Sequence, residues 1–173
     1  MKQLFIILCC TPLLFSTIHL PHSFEADFSQ KITNTKHKVL NYSGKVYFSD
    51  TKHFKWQYLE PTQKEVCTDG VELLVVDHDL EQVSSYYIAQ GLDISKILQK
   101  ASEYSHNIYV ALYENKKYTI QVDSKKRLQS IAYFDNLDNK VQIVFKHIKY
   151  KKSKFSSKMM QCIYPSEYDM IRG

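Results

Sequence analysis

The chain has 173 residues, 44% of them hydrophobic, enough to bury one core, and this excludes a disordered polar chain. Four Gly and four Pro stand against 13 Tyr and nine Phe, a balance that favours long strands over a loop-rich scaffold. With 23 Lys and Arg against 18 acids, or 22 once Lys2 is set aside, the chain is only mildly basic, which does not mark a nucleic-acid binder.

The first expected element is an export leader. Lys2 opens it, and LFIILCCTPLLFSTIHL is an apolar run of the length of a secretory h-region, with no charge until Glu25. Residues 1–22 are therefore expected to be a signal peptide, leaving 23–173 as a single domain. No A-x-A-like site fixes the cut between Ser16 and Ser23. A membrane anchor is one rival reading. A lipoprotein signal, the other, would need a small residue before its modified cysteine, yet Cys9 follows Leu8 and Cys10 follows Cys9. No second apolar span of transmembrane length follows residue 20, so the exported chain is expected to be soluble.

From Phe24 onward the chain reads as strands. FEADFSQKIT alternates strictly, with Phe24, Ala26, Phe28 and Ile32 on one face and Glu25, Asp27, Ser29 and Lys31 on the other. Val39 to Phe48, Phe54 to Leu59, Glu72 to Asp77 and Gln82 to Ile88 are expected strands. So are Ile108 to Tyr113, Lys117 to Asp123, Leu128 to Phe134, Val141 to Tyr150 and Met159 to Tyr164. Polar connectors such as SDTKH, TDG, DHD, ENKK, DSKKR and DNLDN read as hairpin turns. One segment breaks the period: LDISKILQKASEY sets Ile94, Ile97, Leu98 and Ala101 at helical spacing behind Asp93 as N-cap. The expectation is a mainly β (α+β) fold: about ten to eleven antiparallel strands in an unclosed barrel, with a short helical lid.

An antiparallel sheet of this length has an apolar face that needs cover, and one helix is a small cover. Phe28, Val46, Phe48, Phe54, Trp56, Tyr58, Leu73 and Val75 therefore either line a hollow partly capped by Ile94, Ile97 and Leu98, or fill one another as a closed core. Export leaves Cys67 and Cys162 in an oxidising compartment, either joined as a disulfide or as two separate half-buried thiols. No C-x-x-C or H-x-x-x-H spacing calls for a metal, and Asp77 to Asp79 reads as a turn. The run KHIKYKKSKFSSK, Lys146 to Lys158, is either a solvated strand end or a contact for an acidic partner or anionic lipid surface.

Ordered motifs extend this reading. FEADFSQKI supplies Phe24, Ala26, Phe28 and Gln30; then come Gly44 and Val46; Phe54, Trp56 and Pro61; Asp69 and Gly70; and Glu81 and Gln82. In this order and spacing they resemble the LolA family of periplasmic lipoprotein carriers, whose pattern runs F-x-A-x-F-x-Q, G-x-L, F-x-W-x-x-x-x-P, a D-G turn and an E-Q pair. The resemblance spans Phe24 to Leu98 and thins to a closing CIYP at Pro165.

The resemblance implies an unclosed β-barrel, lidded by helices, whose cavity holds lipoprotein acyl chains without chemistry or cofactor. It implies a soluble periplasmic monomer with acylated lipoproteins as cargo, an inner-membrane Lol ABC transporter as donor and the outer-membrane receptor LolB or an equivalent as acceptor. Two departures stand out. The family places an Arg four residues before the phenylalanine matching Phe54, where it bonds lid backbone; here that position is Asp50, and an ionised carboxylate donates no hydrogen bond. The family also carries a helix before its first strand, for which few residues remain here. The alternatives are an acylated receptor of the same fold, which this leader does not fit, and a generic periplasmic lipid or hydrophobic-ligand binder on the same half-barrel; an enzyme is the least favoured.

Overall fold

A computed structural model describes Ile18 and residues 22–49, 53–87 and 94–172, the Ser95 side chain apart. Strict alternation in FEADFSQKIT becomes β1, Ser23–Thr33. Hairpins then carry β2 (Val39–Ser49), β3 (His53–Glu60), β4 (Lys64–Thr68), β5 (Glu72–Asp77) and β6 (Gln82–Tyr87). After α1 (Ile94–Gln99) come β7 (Ser102–Ser105), β8 (Ile108–Tyr113), β9 (Lys116–Val122), β10 (Leu128–Phe134) and β11 (Lys140–Lys151). A helical turn, α2 (Ser157–Met160), and β12 (Asp169–Arg172) end the chain.

Carboxylate and amide side chains build the turns, as their affinity for nearby backbone N–H groups dictates. Asn34 Oδ1 accepts from the Lys36 and Lys38 amides, Asp69 Oδ1 from Val71 and Glu72, and Asp135 Oδ1 from Leu137 and Asn139. Asp77 does the same for Leu80, so the Asp77 to Asp79 stretch is a hairpin turn.

The twelve strands of the described residues form one sheet in the order β12-β6-β5-β4-β3-β2-β1-β11-β10-β9-β8-β7. Two antiparallel meanders are joined where β1 pairs with β11, and the sheet stays unclosed, with β12 and β7 at its edges. Side-chain contacts show how far it curls. Trp56 on β3 and Phe145 on β11 are three strand spacings apart, about 14 Å on a flat sheet; their ring centroids lie 6.1 Å apart. The inner face is therefore strongly concave and carries the core, from Phe24 and Val46 across to Tyr109 and Ile120, with α1 packed into it through Ile94, Ile97 and Leu98. Ile18, within the expected leader, also packs against this cluster.

The outer face of β3 to β6 has its own cover. A strap formed by residues 152–172 crosses it, and Cys162 is bonded to Cys67 across a sequence separation of 95. Lys55, only 3% exposed, donates from Nζ to the Gln161 carbonyl at 2.8 Å and pairs with Glu65 Oε2 at 3.0 Å. Glu65 in turn accepts from the Ile163 amide and from Gln57 Nε2. β12 then runs parallel along β6.

Several boundaries differ from those expected. Met159 to Tyr164 is not a strand: Ser156 caps α2 by accepting from the Met159 amide, and the chain then turns into the disulfide. β4, β7 and β12 were not marked by alternation, and β12 adds one parallel pair to an otherwise antiparallel sheet. The helix ends at Gln99, and Ser102 onward, expected as its tail, is edge strand β7. Asp93, Asp50 and Ile88 lie outside the described residues, as does the leader apart from Ile18 and His22.

Two outcomes follow from these contacts. A Cβ on Gly44 would lie 1.8 Å from the Gln57 carbonyl oxygen, a backbone atom that only a shift of β2 against β3 can move. Gly44→Ala is expected to lower the unfolding free energy by about 3 kcal/mol in urea titration; an unchanged midpoint contradicts this packing. Replacing both Cys67 and Cys162 by Ala releases a long loop, so a loss of about 2–5 kcal/mol is expected under oxidising conditions, with no further effect of reductant on the variant.

Candidate hydrophobic binding site

Cross-strand register places all eight expected cavity residues on the inner face. One row runs from Phe24 through Phe48, Phe54 and Thr68 to Leu73 and Tyr86. The next runs from Ala26 through Val46, Trp56 and Val66 to Val75 and Ser84. A third sets Phe28 between Phe145 and Gly44, with Tyr58 beyond.

Among the apolar residues of these rows exposure rises on β3 to β6, although Thr68 and Ser84, the polar members, are buried. Phe28, Val46, Phe48 and Trp56 are closed in, the last at 5%, whereas Phe54, Tyr58, Val66, Leu73 and Val75 are half-buried and Tyr86 is 44% exposed. On β8 to β11 the inward residues Tyr109, Ala111, Ile120, Val122, Ile131, Val141 and Ile143 are buried, and α1 packs on β8. One half of the concave face is thus sealed, and the half made by β3 to β6 is partly open. Burying apolar area is worth about 25 cal/mol per Å2, so an incompletely covered aromatic and aliphatic face attracts apolar groups.

Rings line the boundary between the halves. Phe28 meets Trp56 at 4.8 Å and Tyr58 at 5.2 Å, both edge-on, and Tyr42 meets Tyr58 at 5.7 Å. Tyr118 and Tyr133 pair at 5.2 Å from the other side. Burial pushes the Tyr58 phenol up to about 12, helped by Tyr133 and Tyr42; burial does the same for Tyr133, helped by Tyr118 and Asp135. Both phenols stay neutral, and the surface they present to a ligand is uncharged. At the rim, burial raises the Asp77 carboxyl but the Lys64 ammonium, at 2.9 Å, holds it below its ordinary value.

Sequence reasoning missed Val66, because KEVCT has a polar residue at either end and only one inward aliphatic, and Tyr86 and Tyr133, which carried no motif. Asp50, the latch position of the family resemblance, lies outside the described residues. The basic run is partly neutralised: Lys149 and Lys151 both pair with Glu25, and Lys151 also lies over the Phe155 ring. Glu65, Cys67 and Cys162 cluster closely enough for metal ligation, but the two sulfurs are spent on each other and Glu65 on Lys55. Among the described residues no helix is long and apolar enough to cross a membrane.

An unclosed half-barrel with a greasy, partly open inner face defines a hydrophobic-ligand-binding class of fold. Sequence and structure comparisons narrow the class. The family model described as outer membrane lipoprotein carrier protein LolA matches residues 21–161. A Campylobacter jejuni protein named outer-membrane lipoprotein carrier protein is 32% identical over 151 residues, 87% of either chain. Its namesake from Wolinella succinogenes is 30% identical over the same shares. The crystal structure of an uncharacterized conserved protein from Thermus thermophilus shares the fold with a TM-score of 0.58 at 10% identity, over 89% of this chain and 92% of that one. The chain belongs to the LolA family.

The tyrosine pair gives a pH signature. In the unfolded chain a phenol titrates near 10, so the raised native values contribute stability that is complete below about pH 10 and is lost as the pH climbs toward 12. Denaturation followed from pH 9 to 12 should fall more steeply for the wild type than for Tyr58→Phe/Tyr133→Phe. Parallel curves would place these phenols in solvent.

Proposed function

We propose that this chain is a periplasmic carrier that shields the acyl chains of lipoproteins released from the inner membrane and delivers them to an outer-membrane acceptor. The observation that carries the reading is the unequal cover of the concave face, where Phe54, Tyr58, Val66, Leu73 and Val75 remain partly open. Membership of the LolA family and the printed names of the Campylobacter and Wolinella relatives support it. Residues 1–22 would be the export signal and 23–173 the mature, monomeric domain.

The physics of the task matches a half-open site. Burial is worth about 0.8 kcal/mol per methylene, so leaving one sixteen-carbon chain in water costs on the order of 10 kcal/mol. A carrier without its own energy source must hold cargo only a little better than its donor releases it and less well than its acceptor takes it. A site in which half the apolar face is already satisfied by its own side chains limits the gain from cargo. In this reading Ile94, Ile97 and Leu98 of α1 form the lid, and small shifts of that short helix trade its own burial against that of cargo. The donor is an inner-membrane Lol ABC transporter and the acceptor LolB or an equivalent. The site binds and transfers; it calls on no cofactor and no reaction.

The test is retention of a labelled triacylated lipoprotein in the soluble fraction after its release from inner-membrane vesicles. The wild type is expected to retain it. Leu73→Asp and Val75→Asp, which put charge on the open half, should lower retention at least about tenfold, while the sole tryptophan, Trp56, reports cargo entry by fluorescence. Binding of free fatty acid with no lipoprotein retained would favour a generic hydrophobic-ligand binder.

A further inference from the structure

Two neighbouring hairpin tips carry features that the hollow does not use. Val39, Thr33, Lys140 and Phe134 are consecutive cross-strand partners over β2, β1, β11 and β10, so they form one row at the rim of the sheet. Val39 is 43% exposed and Phe134 59%. Leu40, one position further along, is 55% exposed, and Leu137 at the β10–β11 tip is 77% exposed. The β1–β2 tip adds Lys36 and Lys38, whose backbone amides are held by Asn34 while their side chains stay exposed. Among the described residues no acid pairs with the ammonium groups of Lys36, Lys38 or Lys140. The acids at the tips are Asp135 and Asp138. Asp135 is engaged within its own turn by Leu137 and Asn139.

We propose that this rim, Lys36, Lys38, Val39, Leu40, Phe134 and Leu137 with Lys140 between them, is the surface by which the protein touches down on anionic lipid bilayers. Exposed leucine and phenylalanine flanked by unpaired lysines match an interface of acyl chains under negative headgroups, and would be costly against water alone. Two tips give a shallow, reversible contact rather than an anchor. The position is also apt, because Leu40, at the rim, begins a row that continues through Ile32, Val141 and Tyr133 on the concave face. The basic run Lys146 to Lys158 begins midway along β11 and continues past its far end, which lies roughly 35 Å from the tip, and part of its charge is already paired. The rim contact rests on the carrier reading for its purpose, but its test uses vesicles that hold no lipoprotein, so the two can fail separately.

The experiment is co-sedimentation of the mature protein with vesicles of phosphatidylethanolamine and phosphatidylglycerol, compared with neutral phosphatidylcholine vesicles, at low and at physiological salt. Retention on the anionic vesicles that weakens with salt is expected. Leu137→Asp and the pair Lys36→Glu/Lys38→Glu should each lower it about tenfold, with circular dichroism and lipoprotein retention unchanged. Lys152→Glu/Lys158→Glu should leave it within about twofold. The proposal is overturned by absence of vesicle binding, by binding that the tip variants do not weaken, by binding that only the Lys152 and Lys158 pair abolishes, or by a concentration-dependent dimer that Leu137→Asp dissolves, which would make the rim a contact between two copies.

Discussion

A sheet whose inner face is largely apolar must cover that face, and the described residues hold too little helix to do so evenly. Among the described residues α1, six residues long, is the helix laid into the hollow, burying Ile94, Ile97 and Leu98 against the β8 side, and Ile18 adds one further contact. The seam between β1 and β11 makes this imbalance matter. By joining two meanders into one curled sheet it brings rings from both halves together, as Trp56 and Phe145 show. What the helix leaves undone is concentrated on β3 to β6 rather than spread thinly, and a concentrated apolar deficit is what a ligand can fill.

The opposite side of the same strands is built to the contrary plan. There the strap is held by the Cys67–Cys162 bond, by β12 along β6 and by Lys55 and Glu65 with their partners from Gln57, Gln161 and Ile163. A buried ammonium and carboxylate are costly to desolvate, and this pair is tolerable because its groups find several partners. Neither the charge nor its burial contributes to an apolar site. They give β3 to β6 a fixed back, so that the inner face can remain incompletely packed without the strands peeling apart.

How much of this could be read from residues depends on where periodicity survives. β1, β2, β3, β9 and much of β11 alternate, and the stripe Phe54, Trp56, Tyr58 was legible as one face of a strand. β4 was not, because Lys64 and Thr68 stand on the same face as Val66 and mask its period, and β12 is only four residues at an edge. The strap was misread as a strand because Met159 to Tyr164 is apolar enough to look like one, while its course is set by Ser156 and by a distant cysteine. The binding face was legible as a set of residues, but its division into sealed and open halves was not. That division depends on where α1 settles after the chain has doubled back, a tertiary fact to which no local spacing points. Family resemblance located the right strands without supplying this asymmetry.

The most direct measurement is photo-crosslinking of a bound, triacylated lipoprotein from single positions carrying a benzophenone side chain. Crosslinks from Leu73 and Val75 on the open half, with none from Ile120 or Ile143 in the sealed half, are the expected result. Crosslinks from Ile120 and Ile143 alone would show that cargo displaces the packed half, and that the gap along β3 to β6 is not where acyl chains rest.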